Sequence, residues 1–412
     1  MRLTALALIL AVAGTLPAAD WPQWRGPNRD GTVPAEPAWP AALTDKSLMQ
    51  VWQVKGLGPS YSGPVAADGK VFTTETVDAK TEVASAYDRV TGKRLWRTQW
   101  AGSITVPFFA AKNGSWIRAT PAYFDGKLYV AGMRDVLVCL DAATGDQVWR
   151  YDFPKELGSP PPAFGMVCSP LADESGVTVQ AGASLVKLDR ATGKLLWRTL
   201  TDEGGMNGSA FSSPVFAKLN GTEQLVVQTR TKLAGVNPAT GKVLWEQPVA
   251  SMRGMNILTP QPVGTDAVFT STYGGTSQLL KLTGPAGGVT ARPAWAVKYE
   301  GYMTSPVVIG GYAYLLGRDQ RFVCFDLKAG KEAWRTEKRF GAYWSLVAQG
   351  DRILALDETG TLRLIRANPK EYDPLGEVKA AEAASWAHLA VSGADFVVRD
   401  ASSLTLFRWA AR

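Results

Sequence analysis

The chain of 412 residues holds one histidine, His388. A single imidazole excludes a multi-histidine metal centre within one chain. No nucleophile–histidine–acid set surrounds it, and its setting, Trp386-Ala-His-Leu-Ala-Val, reads as a strand in which His388 is a satisfied structural residue. Only three cysteines are present, which excludes a disulfide-built scaffold. Cys139 and Cys324 occupy matching places in two repeated segments, Val138-Cys139-Leu140-Asp141 and Val323-Cys324-Phe325-Asp326, and with Cys168 they read as small buried hydrophobes. The net charge of +7 is small and scattered, so no basic nucleic-acid face is expected. Beyond the opening residues no apolar run is long enough to cross a bilayer.

The opening residues differ from the rest. Arg2 precedes the apolar run Leu3–Ala13, followed by small residues ending at Pro17-Ala18-Ala19. This is the grammar of a secretory signal, with cleavage expected near Ala19 or Asp20. No cysteine follows to carry a lipid. The expectation is an exported chain, periplasmic or secreted, with residues 1–19 as signal peptide and 20–47 as an extended segment before the folded domain.

Residues 48–412 repeat. Leu188-Asp189-Arg-Ala-Thr-Gly193-Lys-Leu-Leu-Trp197 returns nearly unchanged at Tyr87–Trp96, Leu140–Trp149, Val236–Trp245 and Phe325–Trp334, and in degenerate form before Trp295. Together with Trp52, these tryptophans are spaced by 44, 53, 48, 48, 50 and 39 residues, a period that signals a propeller or solenoid. Within each repeat, runs of period two are separated by Gly, Asp and Asn turns, which predicts strands joined by hairpins. Asp accepts backbone N–H groups at the last turn, and Gly closes it at positive φ. First strands are expected near Ser62, Thr120, Ser169, Ser213, Thr259, Ser305, Ser345 and Trp386, often at a Ser/Thr-Pro step. The last unit has three strands, and Met49–Lys55 is an orphan fourth. Placing it there predicts an all-β, eight-bladed propeller of four-stranded antiparallel blades, closed by the N-terminal strand, which leaves no edge to aggregate. Asn113-Gly, Asn207-Gly and Asn220-Gly read as turns before they read as glycosylation acceptors.

The Leu-Asp-x-x-Thr-Gly-Lys-x-x-Trp pattern resembles the repeat of the pyrroloquinoline-quinone (PQQ) type β-propellers, over about 48–410. The resemblance implies that Trp96, Trp149, Trp197, Trp245, Trp295 and Trp334 pack against the neighbouring blade. Asp20-Trp-Pro-Gln-Trp-Arg-Gly-Pro-Asn-Arg-Asp-Gly31 is similar to an opening segment of secreted bacterial proteins of this type, and is expected to pack on the ring. The family includes quinoprotein dehydrogenases and cofactor-free scaffolds such as the outer-membrane assembly factor BamB. Against a dehydrogenase stand the lack of a Cys-Cys pair, the short repeats, and the lack of a fixed set of oxygen ligands for Ca²⁺. The nearest candidates for such a set are Asp202, Glu203, Asn207 and Asn256.

The expectation is therefore a monomeric binding or scaffold module without cofactor or catalytic residues and with no nucleic-acid or membrane-spanning role, whose partner is a protein or small ligand at the propeller mouth. PQQ with Ca²⁺ belongs to the alternative, an oxidoreductase. A carbohydrate- or polymer-binding module is a third reading. Residues just before the first strands should face the mouth: Tyr61, Trp116, Arg118, Arg253, Asn256, Tyr302, Tyr343, Trp344 and Trp386, with Phe164, Met166, Phe211, Met252, Met255 and Met303 among them.

Overall fold

The computed structural model describes residues 20–102, 104–203, 211–285 and 288–410, with only the backbone of residues 112 and 113. The signal-peptide reading of 1–19 and the Asn207 reading lie outside the described residues, as does the Asn113 side chain. Eight four-stranded antiparallel sheets follow one another along the chain. Blades 1 to 7 span 65–101, 122–152, 171–199, 215–248, 261–297, 307–335 and 344–379. Blade 8 combines Ala390–Ser392, Asp395–Arg399 and Ser403–Trp409 with the strand Leu48–Lys55, which pairs antiparallel with Ser403–Trp409 from Leu48 opposite Trp409 to Lys55 opposite Ser403. The ring thus closes as the strand count predicts.

The repeated turn explains how blades are joined. In blade 3, Asp189 Oδ1 accepts from the backbone N–H of Ala191 and Thr192 and from Thr192 Oγ1, and the Gly193 N–H donates to the Asp189 carbonyl. Those hydrogen bonds hold the Asp189 carboxyl below the usual range. The extra residue shifts the pairing register between Lys187 and Leu188, a β-bulge. Gly193 adopts φ +70°, and a Cβ there would lie 2.7 Å from the Trp149 ring of the preceding blade. Each turn therefore sits on the previous blade's tryptophan. The indole N–H then donates to the carbonyl one residue past the turn's Asp or Asn: Trp96 to Ala142, Trp149 to Arg190, Trp197 to Pro238 and Trp295 to Leu327. Trp334 reaches the Asn368 carbonyl, and the closing strand's Trp52 reaches Arg89. Trp245 departs from the rule. Blade 5 lacks the Asp-x-x-Thr-Gly sequence, and Trp245 Nε1 bonds instead to Gln224 Oε1 of its own blade, at 2.6 Å.

Most innermost strands are three residues long and start two residues after the expected Ser or Thr. The hydroxyls form a belt. The N–H groups of Gly63, Thr120, Ser169 and Thr259 donate to the hydroxyls of Thr120, Ser169, Ser213 and Ser305 in the following blades, at 2.9–3.0 Å. A proline one or two positions on lacks an N–H, so these steps end the loop without an orphan donor. The turn at Asn220-Gly221 has both residues at positive φ, as the turn reading expects. Cys139, Cys168 and Cys324 are free and buried.

Candidate functional site

The central channel has two dissimilar ends. One is closed by the segment 20–33. Trp21 exchanges backbone hydrogen bonds with Ala66 of blade 1, and the Pro22 carbonyl accepts from Tyr123 N–H of blade 2. Arg29 donates to the carbonyls of Ser169 and Pro170 at blade 3. Trp24 Nε1 donates to Thr259 Oγ1 at blade 5, 2.9 Å away, and Arg25 donates to the Pro306 carbonyl at blade 6. Gly31 and Val33 bond to Ala348 of blade 7. The rings of Trp21 and Trp24 pack on His388 of blade 8, with centroids 6.2 and 4.9 Å away. Seven of the eight blades are thus tied to one short hub. Arg25 and Arg29 are 0% and 1% exposed, and burial pulls their guanidinium pKa values down to about 10 and about 9. The same burial holds His388 neutral, with its pKa lowered to about 3. The sequence places this segment against the ring, but the hub roles of Arg25 and Arg29 were missed. Both adopt φ near +59°, and no periodic pattern marks them.

The other end is a cup of about 140 Å³ with Trp24 as its floor. Tyr61, Arg118, Tyr343 and Trp386 line it, together with Val167, Phe211, Ile257, Met303 and the belt serines Ser169, Ser213 and Ser305. Tyr61 meets Trp116 edge-on at 5.1 Å and Trp386 at 5.6 Å, and Trp386 stacks on Tyr343 at 5.6 Å with the planes 9° apart. The Arg118 guanidinium lies 5.4 Å over the Tyr61 ring and donates to the Gly114 carbonyl at 2.6 Å. Burial raises the Tyr61 phenol pKa and lowers that of Arg118. Five of the expected mouth residues are therefore together: Tyr61, Trp116, Arg118, Tyr343 and Trp386.

The other four are not part of this cluster. Trp344 corrects the sequence expectation: it is 1% exposed and packs on Phe322 and Phe340 at 4.9 and 4.7 Å, with Arg363 over its ring. Blade 7 has no proline after Ser345, its first strand already begins at Trp344, and strand alternation turns Trp344 into the blade while Tyr343 stays at the mouth. Asn256 is buried, and its amide donates to the carbonyls of Thr229 and Arg230, a tie between blades. Tyr302 pairs with Tyr273, whose ring carries Arg318, in a separate rim cluster. Arg253 is exposed in a short 3-10 turn.

Carboxylates do not gather at the mouth. Asp202 is paired with Arg230 at 2.8 Å, Glu203 is exposed, and the described lining of the cup contains no acidic side chain. Among the described residues no three His, Cys, Asp or Glu side chains are placed to hold a metal ion. A quinone held on Ca²⁺ needs several oxygen ligands around the ion, and these residues do not fit one. Two buried carboxyls serve joints between blades. Glu82 accepts from Met133 N–H and Trp100 Nε1, Asp135 accepts from Gly182 N–H, and burial raises both pKa values to about 7.

Comparison with known proteins agrees with this architecture. The structure is similar to BamB from Moraxella catarrhalis (TM-score 0.64, 15% identity, covering 89% of this chain and 98% of that one). It is similar to quinohemoprotein alcohol dehydrogenase from Comamonas testosteroni (0.64, 15%, 96% and 81%) and to a europium-containing methanol dehydrogenase (0.53, 12%, 95% and 98%). At these identities the likeness shows the fold alone. No curated protein matches the sequence. A family model described as outer membrane protein assembly factor BamB matches residues 79–336, more than half of the chain. With its Asp-x-x-Thr-Gly turns each seated on a neighbour's tryptophan, the chain belongs to that family of PQQ-type β-propellers.

Proposed function

We propose that the protein is a non-catalytic binding or scaffold module, exported from the cytoplasm, whose working surface is the aromatic mouth. The observation that carries this reading is the division of polar chemistry between the two ends. Buried Glu82, Asp135, Arg25 and Arg29 tie blades together or anchor the hub, whereas the cup offers ring faces, apolar side chains, three serines and one cation. Rings held by one another on a rigid strand framework bind with little ordering cost. The family's printed description, an assembly factor, supports a protein partner.

Two measurements test the reading. Purified protein incubated with PQQ and Ca²⁺ should retain no quinone and should reduce no dye with alcohols or sugars; stoichiometric uptake with dye reduction would favour the oxidoreductase. Any protein partner recovered by affinity capture should be lost from Trp386→Ala and retained by Trp197→Ala. Retention by both would move the surface away from the mouth.

A further inference from the structure

We infer that the cup at the mouth takes a single ring-sized apolar group bearing one carboxylate, held by the Arg118 guanidinium. The inference rests on the mouth being a binding surface and adds the chemistry of what it binds.

Size comes first. The cup measures about 140 Å³. A protein cavity of about 150 Å³ lined by apolar side chains accepts one benzene ring. A phenyl or similar group fits within it. The walls suit such a group, because Trp24, Tyr61, Tyr343 and Trp386 present rings, and Ile257, Met303 and Val167 fill between them.

Charge comes second. Arg118 is the one charged side chain among the described lining residues. One Nη donates backwards to the Gly114 carbonyl, and Tyr61 supports the guanidinium plane. Its other Nη is not among the buried atoms and has no hydrogen-bond partner, and Arg118 is in none of the ion pairs of the described residues. A carboxylate is the acceptor whose geometry matches a guanidinium. With a second cation absent from the described lining, a monoanion matches the charge.

Topology comes third. Trp24 floors the cup and the hub seals the channel behind it, so a chain cannot thread through. The ligand enters end-on. This chemistry has two sources: a free aromatic acid, or the last residue of a polypeptide with its terminal carboxylate.

Calorimetric titration of the full chain with 3-phenylpropionate and 3-phenylpropionamide tests the charge. The acid should bind one to one, and the amide about tenfold more weakly or worse, the loss expected when a hydrogen bond to a charged group goes. Arg118→Gln should abolish the preference for acid over amide. Ala-Ala-Phe as free acid and as C-terminal amide decides the source: tighter binding of the peptide acid than of 3-phenylpropionate assigns a polypeptide terminus, and the reverse order assigns a free acid. Equal binding of acid and amide by the parent protein overturns the carboxylate while leaving the mouth as a binding surface. Absence of binding by every probe overturns the inference, and the partner-capture comparison of Trp386→Ala with Trp197→Ala judges the binding reading separately. The parent's acid–amide comparison stands whether or not Arg118→Gln folds.

Discussion

The hub and the mouth are opposite ends of one channel, built from the same eight inner strands, and they use side chains in opposite ways. At the hub, Arg25 and Arg29 are buried and give their protons to carbonyls of blades 6 and 3. At the mouth, Arg118 is partly exposed and is held from behind by its bond to the Gly114 carbonyl. Trp21 is 1% exposed, whereas Tyr61, Trp116 and Trp386 are only half-buried. The lesson is that residue type does not distinguish framework from site in this ring. Both ends use Trp and Arg, and what separates them is whether the side chain is buried and tied across to distant blades or left partly open to solvent.

The comparison is broken most severely by removing residues 20–56. That deletion takes away the hub and the closing strand together, and leaves blade 8 with three strands and an open edge. The expected product is aggregation-prone and lacks a cooperative melting transition; a soluble, sharply melting deletion product in calorimetry would contradict the closure. Next comes Arg29→Ala, which strands the Ser169 and Pro170 carbonyls and opens a void beside them. A loss of about 3 kcal/mol is expected by denaturant unfolding, against less than about 1 kcal/mol for Trp386→Ala at the mouth. Equal losses would erase the distinction between the two ends.

Gly193→Val combines positive φ with a side chain driven into Trp149 and should cost about 2–4 kcal/mol. Gly126→Ala has φ +73° but open space around the added Cβ, so only the backbone term remains, about 1 kcal/mol. Comparing their unfolding midpoints separates blade packing from turn strain. The smallest effect is in pH. The Glu82 pKa is raised by burial to about 7. The folded state therefore holds a proton that the unfolded state releases between roughly pH 4.5 and 7, and this contribution to stability is present below that window and lost as pH rises through 7. Glu82→Gln does not titrate, so its melting temperature relative to the parent should improve between pH 5 and pH 9; an unchanged difference would show that Glu82 titrates normally.

Periodic features were legible in the sequence because they repeat. Five copies of one turn gave the blade, and the orphan Trp52 strand gave the closure, which pairing with Ser403–Trp409 bears out. The mouth was legible in part, since loops before first strands face the channel. Trp344 was misplaced because blade 7 lacks the proline that marks the strand start in blades 1 to 6, so a shift of one residue turned the side chain to the other face. Asn256 was misplaced because an amide that ties two carbonyls reads in sequence like one aimed at a ligand. Arg25 and Arg29 belong to a non-repeating segment whose contacts lie on seven blades, and no local pattern encodes contacts of that range.

The closing strand also sets an order in time. Gln53 bonds to Thr405 across 352 residues, so the first strand of the folded domain has no partner until the last has been made. Such a distant pairing carries a large loop-closure cost and comes late in folding. Until then Trp39 is without the strand that covers it, since it packs on Trp409. A chain that emerges N-terminus first must therefore carry an unfinished edge throughout its synthesis, and cleavage within the last ten residues would return the finished ring to that state.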